Sequence, residues 1–149
     1  MTPDHRERLV TCWHEASHAC IHVLHYKDQV HSLALDAGGY AGVTKAFIRR
    51  STSNPVKAAI CCLAGPAAEF LITGKLSRDN VGIDLDHAKS HLRGTGLCLD
   101  DVWPKTLSLV RDYEDEIRTV ANALLRRGRL SGLDVDRLVC GGWESPRWE

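Results

Sequence analysis

His14-Glu15-Ala16-Ser17-His18 reads His-Glu-x-x-His. Residues four apart on an α-helix differ by about 40° in azimuth and lie one turn apart, so both imidazoles leave one face. Two such nitrogens can share a Zn²⁺ at about 2.0–2.1 Å, and a catalytic site then needs a third protein ligand and an open position for water. Glu15 is the general base of that pattern: zinc acidifies the water, the glutamate takes its proton, and the oxygen attacks a carbonyl.

The third ligand must come from farther along the chain. A metzincin places glycine and histidine where Ile21 and Leu24 stand, so that pattern is excluded. A thermolysin-like glutamate some twenty residues onward is also missing, because no Glu occurs between Glu15 and Glu69. Glu69, Asp79, Asp84, Asp86, His87 and His91 stay open on residue type alone. His22 and His25 extend the His14/His18 stripe and read as polar residues along its rim, with a substrate or oxyanion role as the alternative. His87 and His91 are again four apart, but no acid between them resembles a base, so they read as helix-surface or supporting residues.

The elements that must carry these groups follow from periodicity and punctuation. Thr2 or Asp4 caps a helix, Pro3 suits its first position, and His5 to about Tyr26 contains neither Gly nor Pro. Leu9, Trp13, Ala16, Cys20, Val23 and Leu24 give it an apolar stripe. Val30 to Asp36 and Val43 to Ile48 read as two short strands of a hairpin around Ala37–Gly42. Asn54-Pro55 opens a nearly all-apolar helix that Gly74 stops near Thr73, with a kink expected near Cys62 to Gly65 because Pro66 removes one backbone hydrogen bond. A third helix is expected from Gly82–Asp84 to Gly94, and a long fourth from Pro104 to Arg127 closed by Gly128. Ser131 opens a short last helix to Cys140, and GGWESPRWE (141–149) is either a loose tail or docked through Trp143 and Trp148. The fold class is therefore α+β, predominantly helical, with about five helices and a small hairpin in one domain of residues 1–149.

Composition narrows the function classes. The 149 residues carry 19 basic and 19 acidic groups, so no cationic face for nucleic acid is implied. No apolar run approaches 18 residues and MTPDHRERLV does not resemble a signal peptide, so the expectation is a cytoplasmic protein without a membrane span. The six cysteines form no C-x-x-C pair and read as buried free thiols.

HEASHA, LAGPAAEFLITG and GIDLDHA occur in that order, and EIRTVANALLRRGRLSGLDVDRLV follows. Together they resemble the protease domain of the FtsH-type ATP-dependent zinc proteases, with its HEAGHA, GGRAAEE and GASNDLERA, over roughly Val10 to Val139. The resemblance implies a zincin-like fold and Zn²⁺ held by His14, His18 and Asp84, with Glu15 catalytic and Glu69 near the metal but not on it. Ser17, Pro66 and Phe70 depart from the family's Gly, Arg and second Glu. The loop before Asp84 is shorter, which leaves Asp86 or Glu69 as alternative third ligands. No G-x-x-x-x-G-K-[ST] occurs, so the chain resembles the protease part alone.

The expected function is a zinc metalloendopeptidase cutting unfolded or flexible segments, with the hairpin around Leu33 to Thr44 receiving substrate as an edge strand. Expected partners are peptide or unfolded protein and a separate ATPase or adaptor, with no nucleic acid and no membrane; a homo-oligomer is left open. The alternative is a non-hydrolytic zinc-binding module that holds or regulates a partner protein.

Overall fold

Asn54 and Gly74 bound the helix around which the rest packs. In the computed structural model, which describes residues 3–36, 42–47, 54–76 and 79–148, Asn54 accepts the Lys57 backbone N–H at 2.7 Å. Pro55 follows at the first helical position, and Gly74 closes the last turn at φ 74°, donating its N–H to the Phe70 carbonyl. This helix, Pro55–Thr73, is α2 in the order α1 (Pro3–Cys20), a π-helical turn (Ile21–His25), β1 (Gln29–Leu35), β2 (Gly42–Phe47), α2, α3 (Asp79–Leu92), α4 (Leu99–Asp112), α5 (Glu114–Arg127), β3 (Arg129–Ser131) and α6 (Gly132–Trp148).

α2 packs against α1, α3 and α4, and α1 packs on its other side against α5. Ala16, Cys20, Ile60, Leu63, Ala67, Ile117, Val120 and Leu124 meet in this core without solvent contact. The small residues of α1 and α2 let their axes approach closely, which matters for the site below. α2 is long and apolar enough to cross a membrane, contrary to the expectation that no such run exists, but 61% of its apolar window is buried inside the fold.

The sheet is antiparallel in the order β2-β1-β3, with β1 central. Leu33 pairs with Thr44 on one side and Leu130 on the other, and an irregularity at His31 shifts the register between Val30 and Ser32. β3 escapes a sequence reading because three residues are too few to show a period.

The predominantly helical α+β class holds, with six α-helices among the described residues rather than about five, an added β3, and further differences at element ends. The first helix does not stay α-helical to Tyr26 but widens at Ile21. The third begins at Asp79 rather than Gly82–Asp84, so Asp84 lies in its second turn. The fourth is two helices broken at Tyr113. Its first half starts well before Pro104, because the Asp101 carboxylate caps the Cys98 N–H at 2.8 Å. The last backbone helix runs past Cys140 to Trp148; Gly141 and Gly142 cost about 1 kcal/mol each in a helix but do not clash with it. Thr2, Ala37–Ala41, Ile48 and the side chains of residues 141–149 lie outside what is described.

Replacing Asn54 with alanine removes the cap that sets the start of α2. Urea unfolding is expected to show a loss of about 1 kcal/mol with an unchanged slope.

Candidate metal centre

α1 turns His14 and His18 toward α2, one helical turn apart, with ring centroids separated by 4.8 Å. Each ring is fixed from behind. His14 Nδ1 donates to Glu69 Oε2 at 2.5 Å, and His18 Nδ1 donates to the Cys61 carbonyl at 2.8 Å. With Nδ1 engaged, Nε2 is the nitrogen left for a metal, the arrangement that metal-binding histidines use. The two Nε2 atoms are 3.1 Å apart. Asp84 Oδ2, from α3, lies 2.7 Å from that of His14 and 3.2 Å from that of His18.

Two imidazole nitrogens and one carboxylate oxygen are a donor set suited to Zn²⁺ rather than to an all-oxygen calcium or magnesium site. A tetrahedral ion bound at about 2.0–2.1 Å needs donors about 3.3 Å apart. The three present are somewhat closer, so the residues fit the ion with outward shifts of a few tenths of an ångström.

The packing of α2 makes this convergence possible. A Cβ at Gly65 would sit 2.5 Å from both Nε2 atoms, so no larger residue fits beneath the pair. Pro66 beside it has no N–H to bond the Cys62 carbonyl, yet the helix runs on unbroken. Ser17, the departure from the motif glycine, is accommodated because its Oγ donates to the Ala64 carbonyl at 2.8 Å.

Glu15 is 4% exposed and approaches the same cavity from the sheet side. Thr44 Oγ1 on β2 donates to Glu15 Oε1 at 2.6 Å and also lies 3.1 Å from the Glu15 carbonyl oxygen. A Cβ at Gly42 would meet Glu15 Cγ at 2.7 Å, so β2 closes tightly on the acid at two residues. The cavity measures about 880 Å³ and runs between α1, the start of α2, α3 and β2.

Burial disfavours a charged His14, but hydrogen bonds to Asp84 and Glu69 outweigh it and raise its pKa to about 9. Burial likewise opposes the Asp84 carboxylate, while His14 and His18 hold it well below the ordinary carboxylate range. The metal-free centre is thus an imidazolium–carboxylate pair.

The structure brings together His14, His18 and Asp84, the three residues that the sequence nominates, and among the described residues these are the group that could hold a metal. Glu69 touches the far side of His14. Asp86 is exposed and does not line the cavity, whereas the exposed His87 and His91 stand at its rim. The Asp79 side chain lies outside the described residues. His22 faces the cavity, but His25 does not; it packs edge-on to Tyr26 and Tyr113. The π-helical turn is the reason, since its wider winding rotates His25 off the stripe that an α-helix would continue.

Sequence reasoning missed Thr44 and the buried Asp28–Lys57 pair, whose Nζ and Oδ1 are 2.8 Å apart. A lysine near the start of an apolar helix was a signal for the second, and nothing marked the first. Cys12, Cys20 and Cys61 are buried free thiols as expected, but Cys98 is exposed. Burial pushes the Cys61 thiol up to about 12 and the Cys62 thiol up to about 11, which leaves no thiolate beside the histidines.

No protein-family model matches the chain, and no curated protein matches it.

An ion bound at His14 Nε2 at pH 7 would have to expel the His14 proton. Calorimetry in buffers of different ionisation enthalpy is expected to show about one proton released from His14 beyond that of the metal-bound water, a share that vanishes as the pH passes about 9. The same raised pKa stabilises the metal-free fold fully below about pH 6.5, and that contribution is lost as pH rises through about 9.

Proposed function

We propose that this protein is a zinc-dependent metallopeptidase acting on extended peptide segments. The observation that carries the reading is the convergence of His14, His18 and Asp84 within 4.8 Å, beside a buried Glu15 in one cavity. The ordered motifs resembling the FtsH-type protease domain support it as well, including the placement of Glu69 behind His14 rather than at the donor triangle.

In this reading His14, His18 and Asp84 hold the ion, which supplies Lewis acidity toward the scissile carbonyl and its attacking water. Glu15 takes the proton of that water and returns it to the leaving amine nitrogen. Thr44 keeps the carboxylate from rotating by its bond to Oε1, leaving Oε2 for the proton. Among the described residues β2 pairs with β1 on one edge and with no strand on the other. An extended chain added at that edge would lie beside Glu15, which favours unfolded or flexible substrate over folded domains. Substrate delivered by a separate ATPase or adaptor, and a cytoplasmic setting, belong to the same proposal.

The test is hydrolysis of quenched unstructured peptides and casein by the zinc-loaded protein. Glu15→Gln is expected to lose at least about 100-fold in kcat while keeping one zinc per chain, the usual range for a lost general base. Equal activity in that variant refutes the reading, and a zinc-loaded wild type that captures a partner without turnover points instead to a binding module. Thr44→Val is expected to lower kcat several-fold at unchanged zinc content, because the carboxylate is no longer held.

A further inference from the structure

His22 repeats, one turn on, the preparation seen at His14 and His18. Its Nδ1 donates to Asp28 Oδ2 at 2.9 Å, and Lys57 Nζ holds the other oxygen of that fully buried carboxylate at 2.8 Å. The tautomer follows: Nδ1 carries the proton and Nε2 the lone pair. Among the described residues no hydrogen bond reaches Nε2, although His22 is 9% exposed and lines the cavity that holds Glu15 and Asp84.

The local backbone bends to build this arrangement. The helix widens into its π-helical turn at Ile21, a feature frequent at functional sites. Lys27 then takes φ 59°, the left-handed region that a side chain disfavours, and Asp28 N–H bonds the His22 carbonyl at 2.8 Å. The reversed chain thereby brings Asp28 beneath the ring. The Lys57–Asp28 pair would tie this turn to α2 without any histidine, so holding the turn does not account for His22. Burial lowers the pKa of His22 despite Asp28, which agrees with a neutral ring. Cys61 Sγ, 3.6 Å from Nδ1, carries a thiol whose pKa burial raises, so it is no nucleophile for this imidazole to activate.

A bare Nε2 offers nothing to a carboxylate or phosphate but accepts an N–H. One helical turn is about 5.4 Å, and an extended chain advances about 3.3 Å per residue, so the matching donor lies about two residues from the bond held at the metal. We propose that His22 is a substrate-binding residue whose Nε2 accepts one backbone N–H of the bound peptide, with Asp28 and Lys57 as its positioning residues. The proposal rests on the metallopeptidase reading for its choice of ligand.

The test is an N-methyl scan of one cleaved peptide, one amide at a time, on zinc-loaded wild type and His22→Gln. Glutamine keeps a donor for Asp28 but moves the acceptor. The expected result is one position about two residues from the cleaved bond where methylation lowers kcat/KM about tenfold in the wild type, mainly through KM, and about onefold in His22→Gln. Methylation costs elsewhere, from pairing at β2, should be equal in the two proteins, as should zinc content. A cost at that position that survives in His22→Gln, or no position distinguishing the two, overturns the proposal. Should His22→Gln fail to fold, His22→Asn, whose amide can still donate to Asp28 but which places no acceptor at the Nε2 position, replaces it in the same comparison, with the same two results deciding. If wild type cleaves no peptide, the reaction proposed above falls. The scan is then read as peptide binding by fluorescence anisotropy, where the same single-position difference supports the His22 contact and its absence overturns it.

Discussion

The contact between α1 and α2 at Gly65 is the constraint on which the site depends. The two histidine rings lie over a glycine because any side chain there would occupy the space of both Nε2 atoms. Around that point α2 supplies an acceptor for each ring's other nitrogen, Glu69 for His14 and the Cys61 carbonyl for His18, and a carbonyl for Ser17. The candidate metal donors come from α1 and α3, yet the helix between them decides where the imidazoles point. Orientation by such outer contacts commonly weighs on affinity nearly as much as the donors themselves.

Electrostatics divides the cavity wall into two units. At one, a raised His14 and a lowered Asp84 pKa favour opposite charges that balance each other, a balance that a bound ion would replace. At the other, Lys57 neutralises Asp28, so that the carboxylate beneath His22 adds no net charge to the wall. Burying a lysine and an aspartate is expensive unless both are paired and hydrogen-bonded, and losing one partner typically costs about 3–5 kcal/mol. Such a pair is weak evidence for stability by itself; its effect is to fix a turn and a tautomer.

Much of this was legible in the residues. The i, i+4 spacing of His14 and His18 fixes their common face, and Asn54-Pro55 with Gly74 fixes the bounds of α2, because these are local rules of helix geometry and capping. Asp84 emerged from motif order, not from spacing, since nothing local links it to a helix so far away along the chain. Its place in the second turn of α3 is not legible because Gly82 reads as a boundary, although that helix tolerates it. The position of His25 escapes the sequence for a different reason: periodicity assumes constant winding, and the π-helical turn breaks it. Asp28, Lys57 and Thr44 act through contacts between distant elements, which no single-sequence pattern encodes.

The buried thiols have a consequence for how an ion would act on folding. Cys12 and Cys20 are sealed in the native core without solvent contact, so the folded protein withholds these thiols from a metal. The denatured chain instead exposes all six cysteines and eight histidines, a softer and more numerous set of competitors for Zn²⁺. Because ligand that also associates with the unfolded ensemble stabilises less than native affinity alone dictates, excess zinc would protect this protein from heat less than its grip on the native site implies.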